Sequence, residues 1–312
     1  MLDRGDQLGA SDALRSYRIR EHRIPSTGSQ PYICVEGPDR ALWFCESGAN
    51  RIGRFEPQTQ SFSEFVLPHE NSGPIGCAVG ADGCLWFAEK RGNRIGRISM
   101  SGEIKEFEVP TIGAGPDAIV LGPDGNIWVA ATDADKLLRV TPKGEITVIA
   151  DGISPGSKPL SISVRGDALW FSETAGSRIA CLVPGQRVVE YALPSPKAEP
   201  RATVAHPDGS LWFVETGSDA LGRVDADGAI TEHPVGGTGL SLRGVCVGPD
   251  GDLWYTENFA NRIGIMDPAG RMRGRLTIPT PMSGARCIMA HSNGRLYFTQ
   301  FDAGLIGEIY RA

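Results

Sequence analysis

The chain has 312 residues, of which 41% are hydrophobic and 22% charged, values typical of a globular protein with a packed core. Its formal net charge of -6 argues against nucleic acid as the main partner, because phosphate binding needs a basic surface. The chain has no apolar run of about 18 residues that could span a membrane, and its N-terminus lacks the apolar stretch of a secretory signal. We therefore expect no membrane association and a cytoplasmic location.

The predicted elements begin with a flexible tail over residues 1–13, and residues 14–312 are predicted to form one domain. The first strand covers residues 17–25 and is followed by a repeated pattern. Each repeat consists of a Pro-containing apolar run, an Asp-Gly turn, a Leu-Trp-Phe-x-Glu strand, an Asn-Arg-Ile-Gly-Arg strand and an alternating strand. Four short strands joined by Asp-Gly hairpin turns are typical of one blade of a β-propeller.

All tryptophans of the chain occupy the same position in this repeat. They recur every 42 or 43 residues, and a tyrosine continues the series: Trp43, Trp86, Trp128, Trp170, Trp212, Trp254 and Tyr297. A fixed period of this length indicates a repeat architecture with seven units. We expect each large ring to pack between adjacent blades.

The two chain ends complete one another. The last repeat stops near Tyr310 after its third strand, whereas the strand over residues 17–25 matches the fourth-strand pattern. Pairing the two would close the ring and protect a sheet edge. The sequence therefore predicts an all-β, seven-bladed propeller with four antiparallel strands per blade, closed by the N-terminal strand.

Two groups of residues are expected to be structural. The Asn-Arg turns should tie a turn to a strand through hydrogen bonds. The seven cysteines are odd in number, contain no Cys-x-x-Cys pair and lie in or beside apolar strands, so we expect buried free thiols rather than disulfides or metal ligands.

The five histidines form no metal-ligand cluster. His206 and His291 precede turns on the face opposite the expected site and are predicted to be surface residues, and His22 lies in the closing strand. His69 and His233 fall near loops that lead toward the expected site. Either could be a base near neutral pH, or both could be ordinary loop residues.

A glutamate follows the Trp-containing strand in five blades and is replaced in the other two by Ala131 and Gln300. The five are Glu46, Glu89, Glu173, Glu215 and Glu257. One interpretation is a structural ion pair with the arginine of the Asn-Arg turn. The other is that these side chains, with Gln300 and Phe301, ring one mouth of the channel and bind substrate.

The start of the innermost strand varies between blades and is therefore the most informative position. It carries Tyr32, Ile75, Asp117, Leu160, Arg201, Arg243 and Arg286. Since strands one and two of a blade are antiparallel, this position lies on the same face as the glutamates. Three arginines on consecutive blades present forks that suit a carboxylate or phosphate. Alternatively, each arginine pairs with a nearby acid such as Glu215 or Glu257.

The repeat, with Gly-Pro-x-Gly-Ile, Asp-Gly-x-Leu-Trp-Phe-x-Glu and Asn-x-Ile-Gly-Arg-Ile in order, resembles the streptogramin B (virginiamycin B) lyase family over residues 17–310. The resemblance implies a seven-bladed propeller that opens a cyclic depsipeptide antibiotic by elimination, with magnesium. It also implies two catalytic histidines, two glutamates and a pocket tyrosine. The matching positions in this chain are Arg286 and Arg243 for the histidines, Gly284 and Gln300 or Phe301 for the glutamates, and Tyr32.

Most of the family's functional positions are thus substituted. Arginine cannot act as a base at neutral pH, because its pKa lies above about 12. Loss of the carboxylates also removes the oxygen anions that magnesium prefers. The sequence therefore predicts no cofactor, and magnesium is implied only by the resemblance.

Three functions remain open from the sequence. The first is an enzyme of this architecture that acts as a monomer and performs an elimination, isomerisation or cyclisation on a small-molecule or peptide-like anionic metabolite. Its substrate would be held by Arg201, Arg243 and Arg286, and its proton transfer handled by Asp117, Tyr32 or His69. The second is a propeller that binds an anionic metabolite or a protein segment without catalysis. The third is the antibiotic lyase itself with a rearranged site.

Overall fold

The repeats fold into seven antiparallel sheets, each with four hydrogen-bonded strands, which form the blades of a ring. The computed structural model describes residues 16–312, so the tail predicted over residues 1–13 lies outside the described part. Within residues 16–312, no helix has the length and apolar content needed to cross a membrane. The predicted seven-bladed, four-stranded architecture is confirmed.

The strands are numbered β1–β28 in chain order. Blades one to three contain Pro31–Glu36, Leu42–Glu46, Arg51–Glu56 and Ser61–Val66 (β2–β5); Pro74–Val79, Leu85–Glu89, Arg94–Ile98 and Ile104–Glu108 (β6–β9); and Pro116–Leu121, Ile127–Ala131, Lys136–Val140 and Ile146–Ile149 (β10–β13). Blades four to six contain Pro159–Arg165, Ala168–Glu173, Arg178–Leu182 and Val189–Ala192 (β14–β17); Pro200–Ala205, Leu211–Glu215, Ala220–Val224 and Ile230–Pro234 (β18–β21); and Leu242–Val247, Leu253–Glu257, Arg262–Met266 and Met272–Thr277 (β22–β25). Blade seven combines Ala285–Ala290, Leu296–Gln300 and Leu305–Arg311 (β26–β28) with Tyr17–Arg23 (β1). A 3-10 turn, Thr132–Ala134, follows β11.

The N-terminal strand closes the ring as predicted. It pairs antiparallel with β28 in a register that sets Tyr17 opposite Arg311 and Arg23 opposite Leu305. The innermost strand of blade one, β2, also packs against the innermost strand of blade seven, β26. Joining the two ends of the chain in one sheet satisfies an edge that would otherwise be open to pairing.

The repeated tryptophans pack between blades, as the sequence predicts. Trp86 belongs to a buried cluster with Ile119 and Ile127 of the next blade. Its indole Nε1 donates a hydrogen bond of 3.1 Å to Asp82, the aspartate of the Asp-Gly turn, which also accepts one of 2.6 Å from Arg97. The Asp-Gly turn, the tryptophan and the Arg of the third strand therefore form one brace within each of several blades.

The Asn-Arg turns join each blade to the loop that enters the next. The Asn93 amide donates to the carbonyl oxygens of Val109 and Thr111, and its Oδ1 accepts from the backbone N–H of Ala114 at 2.8 Å. Asn93 has a positive φ of 54°, which asparagine tolerates better than most residues. The predicted structural role of this segment is confirmed.

The cysteines and two of the histidines also occupy structural positions in the blades. All seven cysteines are free, and five are buried. The prediction that His206 and His291 are surface residues is wrong, since their side chains are only 8% and 2% exposed. Each ring bonds to a backbone carbonyl of the next blade, that of Gly251 or of Arg40, and so ties two blades together on the face opposite the site.

Candidate functional site

A β-bulge in every innermost strand sets the side chains that face the central channel. In blade seven, Arg286 and Cys287 together oppose the single residue Thr299 of the second strand. The Thr299 hydroxyl accepts a hydrogen bond of 3.1 Å from the backbone N–H of Cys287, which holds the bulge. Bulges bend a strand and re-aim its side chains, so the first bulge residue of each blade can point into the channel.

These bulge residues enclose a cavity of about 190 Å³ at the face of the ring where the innermost strands begin. Six of the seven first bulge residues line it, and only Ile75 of that series does not. The six are Tyr32, Asp117, Leu160, Arg201, Arg243 and Arg286. The structure therefore brings the three arginines of blades five, six and seven to one shared opening.

None of the three guanidinium groups forms an ion pair among residues 16–312, although the charge of Glu199 acts on Arg243 and Arg201 acts on Asp117. The Nε atoms of Arg201 and Arg286 are buried without any hydrogen-bond acceptor. Arg243 Nε donates to the Ser241 hydroxyl at 3.1 Å, which is a neutral contact. Buried charged groups are usually paired, so this arrangement leaves a strong positive potential in the cavity.

The acids proposed as partners of these arginines are engaged elsewhere. The Glu215 carboxylate accepts a hydrogen bond from the Ser218 hydroxyl. Glu257 is held by Arg262 at 2.8 Å and by Arg275 at 2.7 Å. The interpretation that Glu215 and Glu257 neutralise the arginines of the rim is therefore wrong.

Arg243 lies at the centre of the positive cluster. Burial lowers the pKa of Arg243, and the neighbouring charges of Arg201 and Arg286 lower it further, to about 10. A guanidinium with this pKa is still protonated at neutral pH. An anion in the cavity would offset both effects. Each contact between opposite charges at 4 Å has an attraction of about 4 kcal/mol at an effective dielectric constant near 20.

An aromatic clamp holds the third arginine. The guanidinium carbon of Arg286 lies 4.0 Å from the ring centre of Phe301 and 5.2 Å from that of Tyr32. The two rings meet edge to face, with centroids 5.9 Å apart. Cation–π contacts of this kind orient a guanidinium without neutralising it, and so preserve its ability to bind an anion.

Asp117 is the only carboxylate that lines the cavity, and it is paired. Lys90 Nζ lies 2.6 Å from its Oδ2 atom. Burial raises the pKa of Asp117, and the charge of Lys90 opposes that rise. Burial would lower the pKa of Lys90, but Asp117 outweighs this effect and raises it. Lys90 therefore offsets part of the effect of burial and favours the charged form of Asp117 next to the arginine cluster.

Lys90 is a site residue that the sequence reasoning missed, although a signal for it exists. It occupies the position directly after the repeated glutamate. In three other blades a threonine there donates to the carbonyl of the first residue of the next innermost strand, over 2.7–2.8 Å: Thr132 to Pro159, Thr174 to Pro200 and Thr216 to Leu242. Lys90 and Phe301 interrupt this pattern, and both contact cavity-lining side chains instead.

The repeated glutamates do not line the cavity, although they lie on the same face of the ring. All five are fully buried within their blades: Glu46, Glu89, Glu173, Glu215 and Glu257. Glu173 and Glu257 bond to the arginine of the following turn at 2.8 Å, as in the structural interpretation. Gln300 is likewise buried and donates to Glu21 of the closing strand at 3.0 Å.

Four of these glutamates face a second carboxyl group from the outermost strand of the same blade. Burial, followed by the charge of Glu64, raises the pKa of Glu46 to about 8. Burial likewise raises the pKa of Glu89 to about 7, with Glu106 adding to the effect. Glu173 and Glu215 are also raised to about 7, chiefly by burial. The pairs therefore behave as structural acid–carboxylate contacts inside the sheet.

His69 also lies away from the cavity. Its ring bonds to Glu106 in the outermost strand of blade two, and its side chain is 52% exposed. The corresponding loop position carries Ser195 in blade five, where it caps Glu232 in the same way. The ring of His69 thus replaces a structural hydroxyl, and none of the five histidines lines the cavity.

The cavity does not fit a magnesium site. Its lining contains three cationic guanidinium groups and one carboxylate, which is already bonded to Lys90. Within residues 16–312, no group of three or more His, Cys, Asp or Glu side chains could hold a metal ion. Magnesium needs oxygen anions, whereas this donor set would repel a dication.

Comparison with known proteins agrees with the architecture. The profile of the virginiamycin B lyase family matches residues 6–241. Selenomethionine-substituted virginiamycin B lyase from Staphylococcus aureus is 27% identical, with a TM-score of 0.89 over 95% of this chain and 100% of that chain. A streptogramin B lyase structure is 27% identical, with a TM-score of 0.89 over 97% of this chain and 100% of that one. No curated protein matches the sequence.

A third similar structure holds a ligand. It is a catalytically inactive histidine-to-alanine variant of virginiamycin B lyase from Staphylococcus aureus with quinupristin. It is 26% identical to this chain, and the match covers 95% of this chain and 100% of that chain with a TM-score of 0.90. The similarity therefore extends over the whole ring, including the blades that carry the three arginines.

Proposed function

This chain belongs to the virginiamycin B lyase family, and from that premise we propose that it is a lyase-like enzyme for an anionic small-molecule or peptide-like metabolite. One observation carries the proposal: three half-buried arginines, none of them in an ion pair, converge on one cavity that is also lined by the carboxyl group of Asp117. Fixed cationic donors in a partly dry site bind a substrate carboxylate and stabilise negative charge that develops on its oxygens.

The reaction that fits this arrangement best is an elimination next to a carboxylate. The arginines bind the substrate carboxylate, and Asp117 removes the proton from the adjacent carbon. The electron pair of that C–H bond forms a C=C bond while the bond from the next carbon to a leaving oxygen breaks. Tyr32 gives its hydroxyl proton to the departing oxygen and regains a proton from Asp117 or solvent.

Each residue has a physical reason for its role. Lys90 opposes the effect of burial on Asp117 and so favours the ionised carboxylate that would accept the proton. Negative charge that moves onto the substrate carboxylate in the enolate-like transition state is met by Arg243 and its two neighbours. An isomerisation or cyclisation that starts with the same proton abstraction would use the same groups.

The site argues against antibiotic cleavage by a histidine base. The inactive variant of the Staphylococcus aureus enzyme carries alanine in place of a histidine. In this chain no histidine lines the cavity, and arginine cannot take that role. We expect quinupristin incubated with this protein to give no linear product, and formation of such a product would refute this part of the proposal.

The enzyme hypothesis can be tested without knowing the natural substrate. A panel of carboxylates with an oxygen leaving group one carbon beyond the acidic C–H bond is incubated in D₂O. NMR then follows deuterium incorporation at that carbon and the unsaturated product. We expect exchange for at least one compound, with a loss of at least about 100-fold in the Asp117→Asn and Arg243→Gln variants.

His69→Ala is the matched control, because its ring lies outside the cavity, and it should retain the wild-type exchange rate. Exchange that survives Asp117→Asn would contradict the assigned base. Tight binding of the same carboxylates with neither exchange nor product would instead favour a propeller that binds its ligand without catalysis.

A further inference from the structure

From the cavity of the proposed function, we infer a narrower ligand class: an organic dianion with one apolar or aromatic end. The dianionic part would lie among Arg201, Arg243 and Arg286. The apolar end would rest on an apolar rim, defined here as Phe259, Met282, Phe301 and Tyr32. The inference rests on the proposed site but not on its being catalytic.

The positive charges that line the cavity favour a ligand with two negative charges. Three guanidinium groups line it, and the charge of Asp117 is already balanced by Lys90. A monoanion would leave two positive charges uncompensated, whereas a dianion leaves one. Since each arginine offers a rigid fork of donors, either a phosphoryl group or two carboxylates could satisfy several forks at once.

The rim above two of these arginines exposes large apolar side chains. Phe259 is 76% exposed and Met282 is 85% exposed, unusual values for such residues. The backbone N–H of Phe259 bonds to Leu240 O, beside the Ser241 hydroxyl that contacts Arg243. Phe259 therefore stands next to the entrance at blade six.

Met282 lies in a loop close to the turn that carries Phe259, at the boundary between blades six and seven. It precedes Ser283, whose N–H and hydroxyl both bond to Asn261 of the turn that carries Phe259. The neighbouring Asn258 amide donates to Ala285 O at 3.0 Å, directly before Arg286. The turn and the loop thus place both residues at the boundary between blades six and seven, on the face of the ring where Arg243 and Arg286 line the cavity.

The backbone at Met282 supports a functional reason for this side chain. Its φ is 50°, in the left-handed region that suits glycine. Four other blades carry a glycine of positive φ at the equivalent loop position: Gly28, Gly113, Gly156 and Gly239. An exposed methionine held in this strained conformation gains nothing from core packing, so contact with a ligand is the role that remains for it.

The apolar rim continues into blades seven and one. Phe301 and Tyr32 clamp Arg286 and are themselves in contact. The far side of the mouth has a different character, since the groove between blades four and five is lined by Lys158, Lys197 and Glu199. An apolar group attached to the bound anion would therefore settle toward blades six to one.

Isothermal titration calorimetry of the full chain can test this class with five probes. Benzylsuccinate and phenyl phosphate combine a dianion with an aromatic ring; succinate and inorganic phosphate lack the ring; 3-phenylpropionate has the ring and one charge. We expect at least one aromatic dianion to bind at least about tenfold more tightly than its ring-free counterpart and than 3-phenylpropionate. The two aromatic dianions distinguish a dicarboxylate ligand from a phosphate ester.

Variants then locate the contacts. Phe259→Ser and Met282→Gly should reduce the affinity for the aromatic dianion toward that of its ring-free counterpart, while leaving the ring-free affinity unchanged. Ile112→Ser is the matched control, since Ile112 is 97% exposed in a loop on the same face but belongs to blade three. Arg243→Gln should weaken all the dianions, and circular dichroism verifies that each variant is folded.

Several results would overturn the inference. These are a monoanion that binds as tightly as the aromatic dianion, equal affinity with and without the ring, no binding of any dianion at millimolar concentration, or an equal loss in Ile112→Ser. Because the readout is binding, rim-dependent binding of the dianions together with no deuterium exchange on any member of the carboxylate panel would refute the enzyme proposal alone. Turnover of a purely monoanionic substrate would refute the ligand class alone.

Discussion

Replacing Arg243 by methionine should make the unliganded protein more stable. The side chain keeps its length and apolar stem, but the central charge of three unpaired guanidinium groups is removed. Burial and the charges of Arg201 and Arg286 lower the pKa of Arg243 to about 10. Arg243 stays protonated at neutral pH. Its unfavourable environment therefore lowers the free energy of unfolding and leaves the charge of the side chain unchanged.

The magnitude follows from the size of that shift. A pKa about two units below the ordinary value corresponds to roughly 3 kcal/mol, at about 1.4 kcal/mol per unit. Arg243 is partly exposed, so solvent screening reduces the expected gain to about 1–2 kcal/mol. The penalty on the folded state is complete below pH 10 or so, and it fades as the pH rises through the folded pKa toward the unfolded one.

Urea unfolding at neutral pH, low salt and without multivalent anions measures the effect. Arg243→Met should raise the midpoint without changing the m-value. Arg275→Met is the matched control, because Arg275 bonds to the buried Glu257 at 2.7 Å, and its loss should destabilise the protein by about 2 kcal/mol. Sulfate should stabilise the wild type more than Arg243→Met. A destabilised Arg243→Met variant, or equal stabilisation by sulfate, would refute the reasoning.

Three further predictions concern other carboxylates. Burial and the charge of Glu64 raise the pKa of Glu46 to about 8, so the protonated form that stabilises the fold is lost as the pH rises from the unfolded pKa through 8. In urea melts, Glu46→Gln should remove this fall in stability with pH, and its free energy of unfolding should exceed that of the wild type by about 2 kcal/mol at alkaline pH. An unchanged dependence of stability on pH would contradict the prediction. Lys90→Met should raise the pKa of Asp117 further and move the acidic limb of the deuterium-exchange profile upward by about one pH unit, whereas an unmoved limb would show that another group is the base. Asp82→Asn should lower the free energy of unfolding in thermal melts by about 1–2 kcal/mol, because Asp82 accepts hydrogen bonds from Trp86 and Arg97, and an unchanged melt would contradict the bracing role of this aspartate.

The architecture could be predicted because one physical unit is repeated. The Trp period fixes the blade length, and the unmatched fourth-strand pattern at residues 17–25 fixes the closure. The three arginines could also be placed, since they occupy the same repeat position and every innermost strand carries the same bulge. Equivalent positions in a ring of equivalent blades must meet around one axis.

Side-chain pairing inside a blade was harder to predict. The partner of Glu46 is Glu64, another acid two strands away, and sequence reasoning that seeks opposite charges does not find such a pair. Blade seven contains the informative substitution, because Gln300 donates its amide hydrogen to Glu21 where other blades have two acids. An amide imitates a protonated carboxyl group, which explains how the acid pairs can be buried at all.

The role of His69 was missed for a related reason. Its loop position follows a proline, as does Ser195 in blade five, and both side chains cap a glutamate of the outermost strand. A histidine in a loop on the functional face suggests a base when it is considered alone. Comparison with the serine of the other blade shows that the shared feature is a hydrogen bond to a carboxylate, not proximity to the channel.

The three cavity arginines differ from other arginines of the ring in one respect that bears on function. Arg54, Arg97 and Arg139 each bond at 2.6–2.8 Å to the aspartate of the turn that precedes the second strand of their own blade, so the fold readily supplies acids where a guanidinium serves structure. At the cavity it supplies a serine hydroxyl, two aromatic rings and no free acid. Single substitutions could remove such a destabilising cluster, so its presence supports the anionic ligand proposed above. Guanidinium groups at these positions stabilise anions but do not take up protons, so the proposed enzyme needs a base from elsewhere in the lining. Among residues 16–312, Asp117 is the only carboxylate that lines the cavity.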